Sequence, residues 1–99
     1  MLFEEESDFK REYKKLKKKF LSLDEDISSF KKILKVYPKG RGEKHWNILS
    51  ENESKYILKS RLFCRYLKRK SLRIIYLYKK EEDKIIFIEI YFKGNKEVE

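Results

Sequence analysis

The feature that most constrains the fold is a change of hydrophobic period along the chain. Phe9, Tyr13, Leu16 and Phe20 recur at steps of four, three and four, which places them on one face of a helix. Ile27, Phe30, Ile33, Leu34 and Tyr37 form a second stripe of the same kind. From residue 56 onward the apolar residues come instead in β-branched and aromatic runs: YILKSRLFC (56–64), LRIIYLY (72–78) and KIIFIEIYF (84–92). Such runs read as strands. A pair of helices followed by strands buries both kinds of apolar surface only if the helices pack on one face of the sheet, which is an α+β domain.

Punctuation supplies the boundaries. Ser7 or Asp8 is the expected N-cap of the first helix. SLDE puts Ser22 three residues before Glu25, the spacing of a capping box for the second. Pro38 and Gly40 end that helix. The stretch KGRGEKHWNILSENESK (39–55) loses the period and reads as loop, and KKEED (79–83) as a hairpin turn. Leu2 and Phe3 can open a short edge strand. The expected order is β-α-α-β-β-β: an N-terminal two-helix hairpin on a small twisted antiparallel sheet, one domain over residues 1–99. In the last strand Ile86, Ile88 and Ile90 are the expected anchors, with Glu89 and Tyr91 on the other face beside Arg73.

Charge narrows the function. Lys and Arg number 26 against 17 Asp and Glu, giving +9. A field of that sign attracts polyanions; nucleic acid, an acidic protein and an anionic membrane all fit. Lys and Glu enrichment also arises in heat-adapted chains. The single cysteine, Cys64, allows no internal disulfide and points to a reducing cytoplasm; its apolar run suits a small buried hydrophobe better than a nucleophile. MLFEEESDF turns acidic at once, so no signal peptide is expected. No apolar run approaches the length of a membrane span. No metal or nucleotide motif occurs, and no cofactor is expected.

What remains is a concentration of cations around the strands. Lys59, Arg61 and Arg65 come from the first long strand and its exit, and Lys68, Arg69, Lys70 and Arg73 from the entry to the next. Lys59, Arg61 and, after a bend, Arg65 alternate with Leu58, Leu62 and Cys64, so they can share the face away from the apolar side chains. Arg73 lies inside an apolar strand and needs an acidic partner, an anionic ligand or an edge position. Two readings stay open for it, a cross-strand pair with Glu89 and phosphate binding. Lys14, Lys15, Lys17, Lys18 and Lys19 read as a solvated helix face before a binding patch. Trp46 reads as a core anchor before a base-stacking platform. His45 reads as a surface residue before a proton-transfer group.

The segments SDFKREYKKLKKKF, KHWNIL, YILKSRLFCRY and above all SLRIIYLYKKEEDKIIFIEIYFKGNKE resemble the RelE/ParE superfamily of toxins from bacterial and archaeal toxin–antitoxin pairs. The likeness spans nearly the whole chain in element order. It implies the compact α+β fold of that family and a cognate antitoxin that wraps the toxin and covers its basic surface. It also implies metal-independent cleavage of mRNA in the ribosomal A site, with the ribose 2′-hydroxyl as attacking group and a cyclic phosphate as product. By the same resemblance Arg73 holds the scissile phosphate, Lys59 and Arg61 stabilise charge or activate the 2′-hydroxyl, and Tyr91 or Lys93 assists the leaving group. Lys96, His45 and the cations Lys55, Arg65, Lys68, Arg69 and Lys70 are the implied RNA contacts. The alternatives within the resemblance are a ParE-like inhibitor of DNA gyrase and a non-catalytic RNA- or antitoxin-binding homologue.

Overall fold

The computed structural model describes residues 1–40, 45–67 and 71–92. Its elements run β1 (Leu2–Glu5), α1 (Ser7–Lys19), α2 (Leu23–Val36), β2 (Trp46–Glu51), β3 (Lys55–Phe63), β4 (Ser71–Lys79) and β5 (Lys84–Phe92). The strands form one sheet in the order β1-β5-β4-β3-β2. Four strands therefore follow the helices, one more than the sequence suggests. The added strand, β2, comes from the stretch read as loop. As a sheet edge with one neighbour it needs only one apolar face, and a bulge between Ile48 and Ser50 interrupts even that alternation. The pairing is antiparallel except between β1 and β5, which run parallel.

Even-numbered residues of β3 and β4 (Leu58, Ser60, Leu62; Leu72, Ile74, Tyr76, Tyr78) point into the core with Ile85, Phe87 and Ile90 of β5. The helices cover this side. α1 packs on β5 and α2 on β3. Phe87 sits where they meet: its ring lies 5.3 Å from Phe9 of α1, 5.9 Å from Phe3 of β1 and 6.4 Å from Tyr76. Farther along, Phe30 of α2 stacks on Trp46 and meets Tyr76 edge-on. Trp46 is thus a core anchor, but from a strand. Gly40 makes room for it: with φ of +82°, a Cβ there would fall 2.3 Å from the indole Cγ.

In β5 the register slips between Phe87 and Glu89, leaving Ile88 bulged. Ile85 and Phe87 point inward before the bulge and Ile90 after it, so Ile86 and Ile88 are half-exposed on the outer side. This corrects the expectation that Ile86, Ile88 and Ile90 share the core face; only Ile90 does.

The caps also differ from expectation. Glu6, not Ser7 or Asp8, is the N-cap of α1, and it makes no side-chain cap bond. Ser22 does cap α2 in position, but no capping box forms. Its hydroxyl donates to Asp26 Oδ2 at 2.6 Å, while Glu25 pairs with Arg65. The lysine-rich side of α1 is exposed, with Lys15 near Glu12 and Lys17 at 2.8 Å from Asp24. The Lys17 contact and the Tyr13 hydroxyl hold the Asp24 carboxyl below its usual range. No described helix is long and apolar enough to cross a membrane.

Candidate nucleic-acid interface

Odd-numbered residues of β3 and β4 point to the face that the helices leave uncovered. Strand register decides which of them meet. Arg61 stands directly opposite Arg73, and Arg73 opposite Tyr91. The backbone of Arg61 also donates to the carbonyl of His45 at 3.1 Å, just before Trp46 pairs with Ser60. The His45 ring lies 5.3 Å from Phe63, which is on the same outer face as Arg61. His45, Arg61, Arg73 and Tyr91 therefore form one transverse row across β3, β4 and β5 and the residue that leads into β2. The next row holds Asn47, Lys59, Ile75 and Glu89. Lys59 Nζ crosses above β4 to lie 5.9 Å from the Tyr91 ring.

Two guanidinium groups placed opposite one another in a sheet repel. Arg73 is moreover buried, at 7% exposure, where a charge costs free energy unless hydrogen-bonded. Its Nη1 donates to Ser71 Oγ at 2.7 Å and lies 3.5 Å from the Leu72 carbonyl. Glu89 faces Ile75 rather than Arg73, one diagonal step away on the same face. The bulge at Ile88 brings Glu89 onto the face of Arg73, at a diagonal distance that long side chains can span. A planar anion between Arg61 and Arg73 would remove their repulsion and use both forks.

The other cations divide. Lys55 is exposed on the same face but pairs in register with Lys79, at the far end of β3 from Arg61. Arg65 does not share the face. Its side chain turns to the start of α2, where it pairs with Glu25 and approaches Asp26 Oδ1 at 3.5 Å, and Glu25 raises its pKa further. Lys68, Arg69, Lys70, Lys93 and Lys96 lie outside the described residues. Asn47, Ser71 and the exposed Phe63 join the face without having been singled out from sequence. Ser71 and Phe63 were legible from alternation in β3 and β4, whereas Asn47 needed β2 to be seen as a strand.

The cluster that diverts Arg65 is a clamp. Asp26, 6% exposed, accepts from the Ser22 hydroxyl and from the Arg65 backbone at 3.3 Å, while Tyr66 N–H donates to Ser22 Oγ at 3.0 Å. It fixes the exit of β3 to the first turn of α2. Cys64 is buried there, its Sγ 3.5 Å from Ser22 Oγ, in agreement with a packing role. Replacing Asp26 with alanine strands the Ser22 hydroxyl and the Arg65 donors, so unfolding free energy is expected to fall by about 2–4 kcal/mol. Urea denaturation of the variant measures it.

A cleft of about 470 Å3 opens between α1 and β5, lined by Asp8, Arg11, Glu12, Glu89 and Tyr91 among others. It adjoins the β5 end of the cationic row and shares Tyr91 with it. Among the described residues no group of His, Cys, Asp and Glu side chains could hold a metal ion.

A comparison with solved structures finds the crystal structure of an archaeal RelE–RelB complex from Pyrococcus horikoshii OT3, aligned over 94% of both chains with a TM-score of 0.67 at 15% identity. The fold is that of RelE. No family model and no curated protein matches the sequence. At that identity the likeness is one of backbone architecture alone. In the RelE fold as this chain builds it, the cationic row stands on the inner strands β3, β4 and β5 and on the approach to β2, where the sheet holds side chains rigidly.

Proposed function

We propose that this protein is the toxin of a type II toxin–antitoxin pair and acts as a ribosome-dependent, metal-independent endoribonuclease on mRNA. The observation that carries this reading is the direct opposition of Arg61 and Arg73 on the uncovered face, with Lys59 and Tyr91 beside them. Transphosphorylation of RNA builds negative charge on a phosphorus that is already anionic. Two guanidinium groups and an ammonium on one face stabilise that charge more in the transition state than in the ground state. Arg73 is the phosphate holder, Arg61 and Lys59 neutralise the developing charge, and Tyr91 donates to the departing 5′-oxygen. The uncovered sheet face is the surface that RNA would meet and that a cognate antitoxin would cover.

The test is addition of purified protein to a reconstituted translation reaction and, in parallel, to a DNA gyrase supercoiling reaction. Arrest of translation with untouched supercoiling is expected. Loss of supercoiling with intact mRNA would instead assign the protein to the gyrase-inhibiting branch, and no effect on either would mark a non-catalytic binder.

A further inference from the structure

We propose that His45 is the base that takes the proton from the attacking 2′-hydroxyl, from the β2 end of the row, while Tyr91 serves the leaving oxygen at the β5 end. This rests on the reading that the face cleaves RNA. Three observations converge on His45. Its carbonyl accepts from Arg61 N–H, and its ring rests edge-on against Phe63, which together fix the imidazole on the outer face beside Arg61. Its Nδ1 is buried and has no hydrogen-bond partner among the described residues. An unpaired buried polar atom is uncommon in a folded protein, and each instance needs a reason. The third observation is its place in the row.

In-line displacement at phosphorus brings the nucleophile in on one side and expels the leaving group on the other. The two proton-transfer groups must then flank the phosphate holders rather than crowd together. The order His45, Arg61, Arg73, Tyr91 meets that demand. The backbones of His45 and Tyr91 are three strand spacings apart, roughly 14 Å, so the two side chains approach the phosphate holders from opposite ends of the row. Of the four, only imidazole accepts a proton readily near neutral pH: guanidinium stays charged, and a phenol is a donor. Among the described residues, the charged groups nearest it on the outer face are Arg61 and Lys59 on β3, Arg73 on β4 and Glu89 on β5, with Lys55 and Lys79 at the far end.

The step balances. His45 takes the 2′-hydroxyl proton, and the 2′-oxygen forms a bond to phosphorus. The bond from phosphorus to the 5′-oxygen breaks, its electron pair staying on that oxygen, which takes the phenolic proton of Tyr91. The products are a 2′,3′-cyclic phosphate and a 5′-hydroxyl, and the two side chains recover their protonation states from water.

The experiment is single-turnover cleavage of mRNA on programmed ribosomes by the wild type, His45→Ala, His45→Gln and Arg73→Ala, with and without added imidazole. Thermal unfolding of each is followed in parallel. Both His45 variants are expected to lose about 100-fold or more in rate at nearly unchanged melting temperature. Free imidazole should restore His45→Ala at least about ten-fold and leave Arg73→Ala inactive. His45→Gln matters because it keeps a polar group against Phe63 without the basic nitrogen. Either His45 variant cleaving at the wild-type rate, with Arg73→Ala inactive, overturns the assignment and spares the nuclease reading. Loss in His45→Ala that imidazole does not repair overturns it too, leaving a structural role. A wild type that cuts nothing removes the nuclease reading itself.

Discussion

Arg73→Ala is expected to abolish growth arrest on expression and to lower the cleavage rate by about 10²–10³-fold, equivalent to roughly 3–4 kcal/mol of transition-state stabilisation. The size follows from placement. Arg73 is central in its row, 7% exposed, and braced by Ser71, so its guanidinium needs little reorganisation to meet a phosphate. Arg61, exposed on the neighbouring strand, can lose its position more freely, and Arg61→Ala is expected to cost less. Arg73→Lys keeps the charge but loses the fork, and should fall between wild type and alanine. Arg73→Ala relieves repulsion across β3 and β4 but also removes a buried side chain and its bond to Ser71, so activity is compared at temperatures where each variant is folded. Titrated expression in cells and thermal melts of the purified variants check both halves.

Phe87→Ala carries the largest expected loss of stability, about 3–5 kcal/mol. A domain of this size has only about 5–15 kcal/mol in total, and each kcal/mol is worth roughly 4–8 °C in melting temperature. Phe87 is fully buried and its ring touches the rings of Phe3, Phe9 and Tyr76. Its removal opens a cavity at the junction of β1, α1 and the sheet, where little can collapse to fill it. The neighbouring Ile88→Ala should cost far less, under about 1.5 kcal/mol, because the bulge turns that side chain outward. Were the strand regular, as its sequence suggests, the two would rank much closer. Chemical denaturation of both variants decides.

That contrast shows what was legible in the chain. Periods of three and four gave both helices, and alternation in β3 and β4 put Lys59, Arg61 and Arg73 on one face. Segment 84–92 is β5 as observed, and KKEED is its turn. The failures share a cause: each depends on contacts distant in sequence. β2 is a strand only because β3 pairs with it, and its exposed, bulged sequence carries little period of its own. The bulge at Ile88 reverses two side chains that simple alternation placed inside. Arg65 leaves the face because Glu25 and Asp26, some forty residues earlier, hold it at α2. His45 looked like an ordinary surface residue for the same reason. Only the register of β2 on β3 brings it level with Arg61.

The most direct measurement of whether this face is a ribonuclease site is the chemistry of the RNA ends after the purified protein meets mRNA on ribosomes. Cuts confined to the codon in the A site, leaving a cyclic phosphate upstream and a 5′-hydroxyl downstream, and disappearing with Arg73→Ala, are the expected result. Intact mRNA, or the same cuts made equally well by Arg73→Ala, would contradict it.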